Sequence, residues 1–116
     1  MASKLGELVR AGVKTATTRA FWAYKPNEPL PQVGELSVVL GGEGEPLCII
    51  ETTEVRTVTF TEVDAAFAFD EGGGDRSLDY WRGAHERFFT RTLPDGKTFS
   101  ETMPVVCERF RKVYPA

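Results

Sequence analysis

Lys14, Thr17 and Arg19 fall within eight residues, Gly12-Val-Lys-Thr-Ala-Thr-Thr-Arg19, and their types suit chemistry at a polar ligand. If residues 15–19 are extended, Thr15, Thr17 and Arg19 point to one face, because side chains alternate along a strand. Lys14 sits in the turn just before, where its long stem can fold back over that face. A hydroxyl then lies beside an ammonium and a guanidinium. Such a group binds an anion or, with Lys14 partly desolvated, activates Thr17 as a nucleophile. Spacing alone favours the plainer reading of an exposed strand with basic side chains, since Lys-x-x-Thr is common.

Other candidates each carry a plain alternative. Trp22 and Tyr24 follow the octapeptide. An exposed aromatic ring there stacks on a base, while packing in the core or a loop explains each at least as well. Arg76 and Arg82 flank the start of a long helix, within reach of phosphate or ribose. Ser77 or Asp75 suits the cap of that helix better than a reacting group. His85 lies on an apolar stripe, where a lone histidine is more often packed than ligating. Cys48 and Cys107 sit in apolar runs and read as buried thiols, and their spacing matches no zinc or redox motif. With one His and two separated Cys, neither a metal site nor a cofactor is expected.

The elements that must position these residues follow from periodicity and breakers. Residues 3–11 read as a short helix with Ser3 as cap and Leu5, Leu8 and Val9 at helical spacing; Gly12 stops it. Residues 15–24, rich in Thr and aromatics, read as a strand. Three prolines make 25–31 an exposed loop. Residues 36–40 and 46–58 form a hairpin around a Gly-rich joint, the second strand being long enough to bend and serve two neighbours. Thr59 with Glu62, or Thr61 with Asp64, caps a short helix with Val63, Ala66 and Phe67 on one face. The run Glu71-Gly-Gly-Gly-Asp75 interrupts it. The pattern of 77–91 is strongly helical, with Leu78, Trp81, Ala84, His85, Phe88 and Phe89 in one stripe. Residues 93–97 turn, and 103–114 close the chain as a strand. Strands with helices between them give an α+β fold, a small barrel flanked by helices.

Composition sets the outer limits. The 116 residues suit one domain spanning 1–116, and 41% hydrophobic with 27% charged is ordinary for a globular chain. Fourteen Lys and Arg against seventeen Asp and Glu leave a net charge of −3. That balance excludes a duplex-binding surface held by bulk charge, yet allows a local pocket for one nucleotide or a single strand. No apolar run is long enough to cross a bilayer and no signal-like segment opens the sequence, so no membrane partner and a cytoplasmic location are expected.

The pattern Gly12-x-Lys14-x-x-Thr17-x-Arg19 resembles the G-x-K-x-x-T-x-R motif of the ASCH domain, a relative of the PUA barrel. The likeness continues through Phe21-Trp22-Ala-Tyr24, Pro31-Gln-Val-Gly-Glu-Leu-Ser-Val-Val39, Ile49-Ile-Glu-Thr-Thr-Glu-Val55, Gly74-Asp-Arg-Ser-Leu-Asp-Tyr-Trp-Arg82 and Met103-Pro-Val-Val-Cys-Glu-Arg-Phe110. The octapeptide is moderately specific; the ordered set is strongly so. It implies a PUA-like β-barrel with the octapeptide lining a cleft between barrel and helices.

What the resemblance implies about function divides. Some bacterial ASCH proteins are amidohydrolases that remove the acetyl group of N4-acetylcytidine with a Lys, a Thr and a Glu; others cleave RNA, and eukaryotic members are associated with nucleic-acid binding or coactivation. Carried over, Lys14 accepts the proton of Thr17, whose oxygen attacks the acetyl carbonyl, and a carboxyl group protonates the leaving amine. That carboxylate belongs in the loop before the long helix. Glu71 is the residue available there, with a solvated loop carboxylate as the equal alternative, since relatives carry an acid where this chain has Gly73. Ligand contacts fall to Gly12, Arg19, Trp22, Arg76 and Arg82. The expected partner is RNA, a nucleoside or a nucleotide, and the short lead-in before Gly12 leaves apolar surface for a homodimer. The alternative to an enzyme is a non-catalytic RNA- or nucleotide-binding module using the same cleft.

Overall fold

The computed structural model describes the backbone of residues 2–115 and the side chains of residues 5–115. Helix α1 spans Ala2–Arg10; the cap expected from Ser3 lies outside the described side chains. The helix stops where the sequence places the stop. Gly12 adopts φ 80°, its N–H donates to the Val9 carbonyl at 3.0 Å, and the Val13 N–H donates to Leu8 at 3.0 Å. This paired closure satisfies the last carbonyls and needs a residue free to turn left-handed.

Strands β1 (Ala16–Ala20), β2 (Leu36–Leu40), β3 (Pro46–Thr59) and β4 (Pro104–Tyr114) form one antiparallel sheet in the order β1-β4-β3-β2. It curls into a half-barrel. The long β3 does serve two neighbours, pairing β2 on one side and β4 on the other, and register shifts at Ile49/Ile50 and Thr52/Glu54 bend it. Helices α2 (Ala65–Glu71) and α3 (Leu78–Thr92) lie between β3 and β4 in sequence. The α+β expectation holds.

Four local expectations are corrected. The strand predicted over 15–24 ends at Ala20, followed by a 3₁₀ turn over Phe21–Ala23. The last ladder pair is Ala20 with Val105; the next partner would be Pro104, which has no N–H to give. Trp22 and Tyr24 therefore do not share a strand face. The Thr59/Glu62 box caps a 3₁₀ turn (Phe60–Glu62), while α2 takes Asp64 as its own cap, accepting from the Phe67 N–H. The buried face of α2 holds Phe67 and Ala68, and Ala66 is exposed. Glu71 is the last residue of α2 and not part of the glycine loop.

The main core lies where α3 crosses the sheet. Trp81 and Phe89 pack among Ala16, Ala20, Phe60, Phe67, Met103 and Val105. Burying a side chain of this size contributes about 1.5–3 kcal/mol. Ala16 and Ala20 are almost wholly buried within this core. A smaller cluster joins Val9 of α1 to Cys48, Ile50 and Phe110. Ser77 caps α3 by accepting from the Tyr80 N–H, and the Asp75 carboxylate accepts from the Ser77 N–H. Both cysteines are free and buried, as the sequence predicts. Among the described residues no helix is long and apolar enough to cross a membrane.

Candidate functional site

Glu71 is the centre of the polar cluster. It is only 7% exposed, although it is a carboxylate at a helix end beside three glycines. Three donors converge on it. Lys14 Nζ donates to Oε1 at 3.1 Å, Thr18 Oγ1 donates to Oε2 at 2.5 Å, and the Trp81 indole N–H donates to Oε2 at 2.6 Å. Such pairing is what permits a charge to be buried. Glu71 is not a solvated loop carboxylate.

Local sequence explains its placement. Helix α2 ends at Gly72, which has φ 80°; a Cβ there would lie 3.3 Å from both Val13 Cγ1 and the Val13 carbonyl oxygen. The absence of a side chain lets the end of α2 abut the turn at residues 12–14. Two further links hold it there. The Thr15 N–H donates to the Asp70 carbonyl at 2.7 Å. Arg76 donates to the carbonyls of Phe69 at 2.9 Å and Val13 at 3.2 Å, its guanidinium stacking 3.6 Å over the Phe69 ring. Arg76, expected to reach phosphate or ribose, thus braces the turn that carries Lys14.

Lys14 folds back toward Glu71, which also accepts from Thr18, and not beside Arg19 as the sequence reading expected. Its Nζ faces three oxygens: the Ala16 carbonyl at 2.7 Å, Glu71 Oε1 at 3.1 Å and the Glu71 carbonyl at 3.5 Å. An ammonium has three N–H donors and no lone pair, and these three oxygens are a matching set of acceptors. Lys14 also sits at the C-terminal end of α2, where a cation is favoured. The hydroxyl joined to this pair is that of Thr18, one residue past the motif threonine. Thr17 and Thr18 both line a cavity of about 520 Å³ together with Lys14, Glu71, Trp81 and His85.

A second cavity of about 630 Å³ shares Thr17, Thr18 and Phe88 with the first, and Arg19 belongs to it. Arg19 pairs with Glu28 at 2.5 Å, donates to the Ala23 carbonyl at 3.1 Å, and lies 4.1 Å over the Tyr24 ring. The guanidinium holds the Glu28 carboxyl below its usual range, and burial pushes the Tyr24 phenol up. Glu35 and Glu108 line the same cavity. The octapeptide therefore divides, with Lys14 in one chamber and Arg19 in the other. Gly12 shapes the preceding turn. Trp22 is half-buried against the main core with Lys97 Nζ 4.7 Å over its ring, and Arg82 is exposed on α3. Neither lines these two cavities.

Three participants escaped the sequence reading: Thr18, the Trp81 indole and His85. His85 stacks on Trp81 with ring centroids 4.2 Å apart, its Nδ1 is 2.9 Å from the Trp81 carbonyl, and its Nε2 is 3.6 Å from Glu71 Oε2. Burial pushes the imidazole below its ordinary pKa, against the pull of Glu71. The usable signal was the i, i+4 spacing of Trp81 and His85, which puts two polar-tipped rings on one face. Burial raises the Cys107 thiol to about 11, which keeps it protonated and inert. Among the described residues no cluster of three or more His, Cys, Asp or Glu could hold a metal ion.

A family model described as the ASCH domain matches residues 1–114. The crystal structure of an ASCH domain from Lactobacillus crispatus JV V101 is 40% identical, with a TM-score of 0.89 over 96% of this chain and 71% of that one. A crystal structure of a protein from Enterococcus faecalis V583 is likewise 40% identical, with a TM-score of 0.83 over the same shares. No curated protein matches the chain.

Proposed function

The chain belongs to the ASCH domain family, and from that premise we propose that it is an amidohydrolase that removes an acyl group from a modified cytidine-type nucleoside. The observation that carries this reading is the buried carboxylate of Glu71, bonded to a threonine hydroxyl and to Lys14 at the wall of a cavity. A nucleophile within hydrogen-bond reach of a base, with that base fixed by further groups, is the arrangement acyl transfer requires.

Glu71 takes the proton of the attacking hydroxyl, and the Lys14 ammonium, fixed beside Glu71 at the cavity wall, contributes its positive charge toward the negative charge that develops on the carbonyl oxygen. This exchanges the proton-accepting role that the resemblance gives Lys14, because the donors of its Nζ already face oxygens. The hydrogen bond favours Thr18 as the attacking group, and the resemblance favours Thr17. The second chamber supports a nucleoside over a phosphodiester strand. Its walls carry Glu28, Glu35 and Glu108 against the single guanidinium of Arg19, a balance that repels phosphate.

The test is turnover of N4-acetylcytidine and of short RNAs by the wild type, Thr17→Ala and Thr18→Ala. Mass spectrometry of trapped acyl-enzyme then identifies the acylated threonine. We expect acetate and cytidine from the wild type, a loss of about 100-fold or more in one threonine variant, and intact RNA. Ligand binding without product would replace the enzyme with a nucleotide-binding module.

A further inference from the structure

We propose that His85 is a further catalytic residue of this cleft, delivering to the departing amine the proton that Glu71 takes from the threonine. The inference rests on the amidohydrolase reading above and adds to it the leaving-group step.

The hydrogen-bond inventory leads to it. Glu71 accepts from Lys14, Thr18 and Trp81, with two of these three donors on Oε2. A carboxylate held this way is placed to receive the threonine proton, and with its oxygens already occupied by these donors it leaves the proton of the departing amine to a second group of the cleft. His85 lines the same cavity. Its Nδ1 is 2.9 Å from the Trp81 carbonyl, which can only accept, so Nδ1 carries a hydrogen. In the neutral ring Nε2 is then a bare lone pair, 3.6 Å from Glu71 Oε2. Two acceptors face each other across a gap that a single proton would bridge. The backbone carbonyl thus fixes the tautomer that can receive a proton from Glu71. Stacking on Trp81 and edge contact with Phe89 hold the ring in that orientation.

The step balances. The threonine Oγ–H bond breaks as Oγ bonds to the acyl carbon, and the proton passes to Glu71 Oε2. From there it moves to His85 Nε2 and on to the amine nitrogen as the C–N bond breaks, leaving a threonine ester. Water then enters in place of the amine, loses its proton to His85 Nε2, and releases the carboxylic acid as the proton returns through Glu71 to the threonine. His85 starts neutral and ends neutral. Burial favours that form; the charged groups around the cavity are Glu71 on α2, Lys14 in the turn before β1, and Arg87 and Arg91 on α3.

The test compares wild type with His85→Gln on N4-acetylcytidine and on p-nitrophenyl acetate, whose phenolate departs without a proton. In the wild type kcat/KM for the amide should fall as pH drops through the imidazole pKa, below about 6.5. In His85→Gln we expect kcat for the amide to fall about 100-fold with KM within about twofold, the acid limb to vanish, and the ester burst to persist. A parallel ¹⁵N NMR spectrum should show the Nδ1–H tautomer. An equal loss in the amide kcat and in the rate of the ester burst, or an unchanged amide profile, overturns the relay and leaves the amidohydrolase reading intact. An Nε2–H tautomer overturns it whatever the turnover. Failure of the wild type to cleave the amide overturns the underlying reading, and the relay with it.

Discussion

The two ends of one octapeptide meet opposite surroundings. At its start Lys14 is 11% exposed and locked to a carboxylate that is 7% exposed. At its end Arg19 is 45% exposed and pairs with the half-open Glu28. Both are cation–carboxylate pairs, at 3.1 and 2.5 Å, and they differ in that water screens one far more than the other. A buried pair is costly to break, since either partner left alone is an unsolvated charge. An exposed pair dissolves into solvent with little loss. Proximity in sequence therefore says nothing about equivalence of role. The buried end is held by a pair that water hardly screens, and the exposed end by one that it screens well.

The contrast is sharpest in Lys14→Ala. It strands Glu71 and should lower stability by about 3–5 kcal/mol, read by urea unfolding, and abolish turnover. A result near that of a surface lysine would mean that Glu71 is reached by water. Gly72→Ala comes next. A left-handed backbone with a Cβ meeting Val13 at 3.3 Å should cost about 1–2 kcal/mol. It should also cut kcat more than it raises KM, because Glu71 is displaced from Lys14. Wild-type kinetics in a destabilised Gly72→Ala would separate the packing of this turn from the chemistry. The smallest structural effect belongs to Arg19→Ala, for which we expect an unchanged melting temperature and a higher KM with kcat kept. An equal loss of kcat would join the two chambers into one functional unit.

Much of this was legible from local rules. The stop at Gly12, the Ser77 cap, the hairpin and the long bent β3 all follow from residues acting on near neighbours in the chain. The errors arose where distant partners decide. The end of β1 depends on Pro104, far along the sequence, and the burial of Glu71 depends on a turn at residues 12–14 and a helix at 78–92. A carboxylate followed by three glycines has every local mark of solvent exposure. The rule of alternation grouped Thr17 with Arg19, which line one cavity, and gave no cue that the Thr18 hydroxyl reaches Glu71.

The sequence by itself determined the local frame of the candidate site: a glycine stop, a lysine in the turn and threonines in the strand that follows. Each depends on backbone preferences within a few residues. Only the tertiary structure decided which groups meet there. The convergence of Lys14, Thr18, Trp81 and His85 on one carboxylate arises where α2, α3 and β1 pack together, and exclusion of water is what makes those contacts strong. Burial is a property of the assembled fold, so no local pattern carries it.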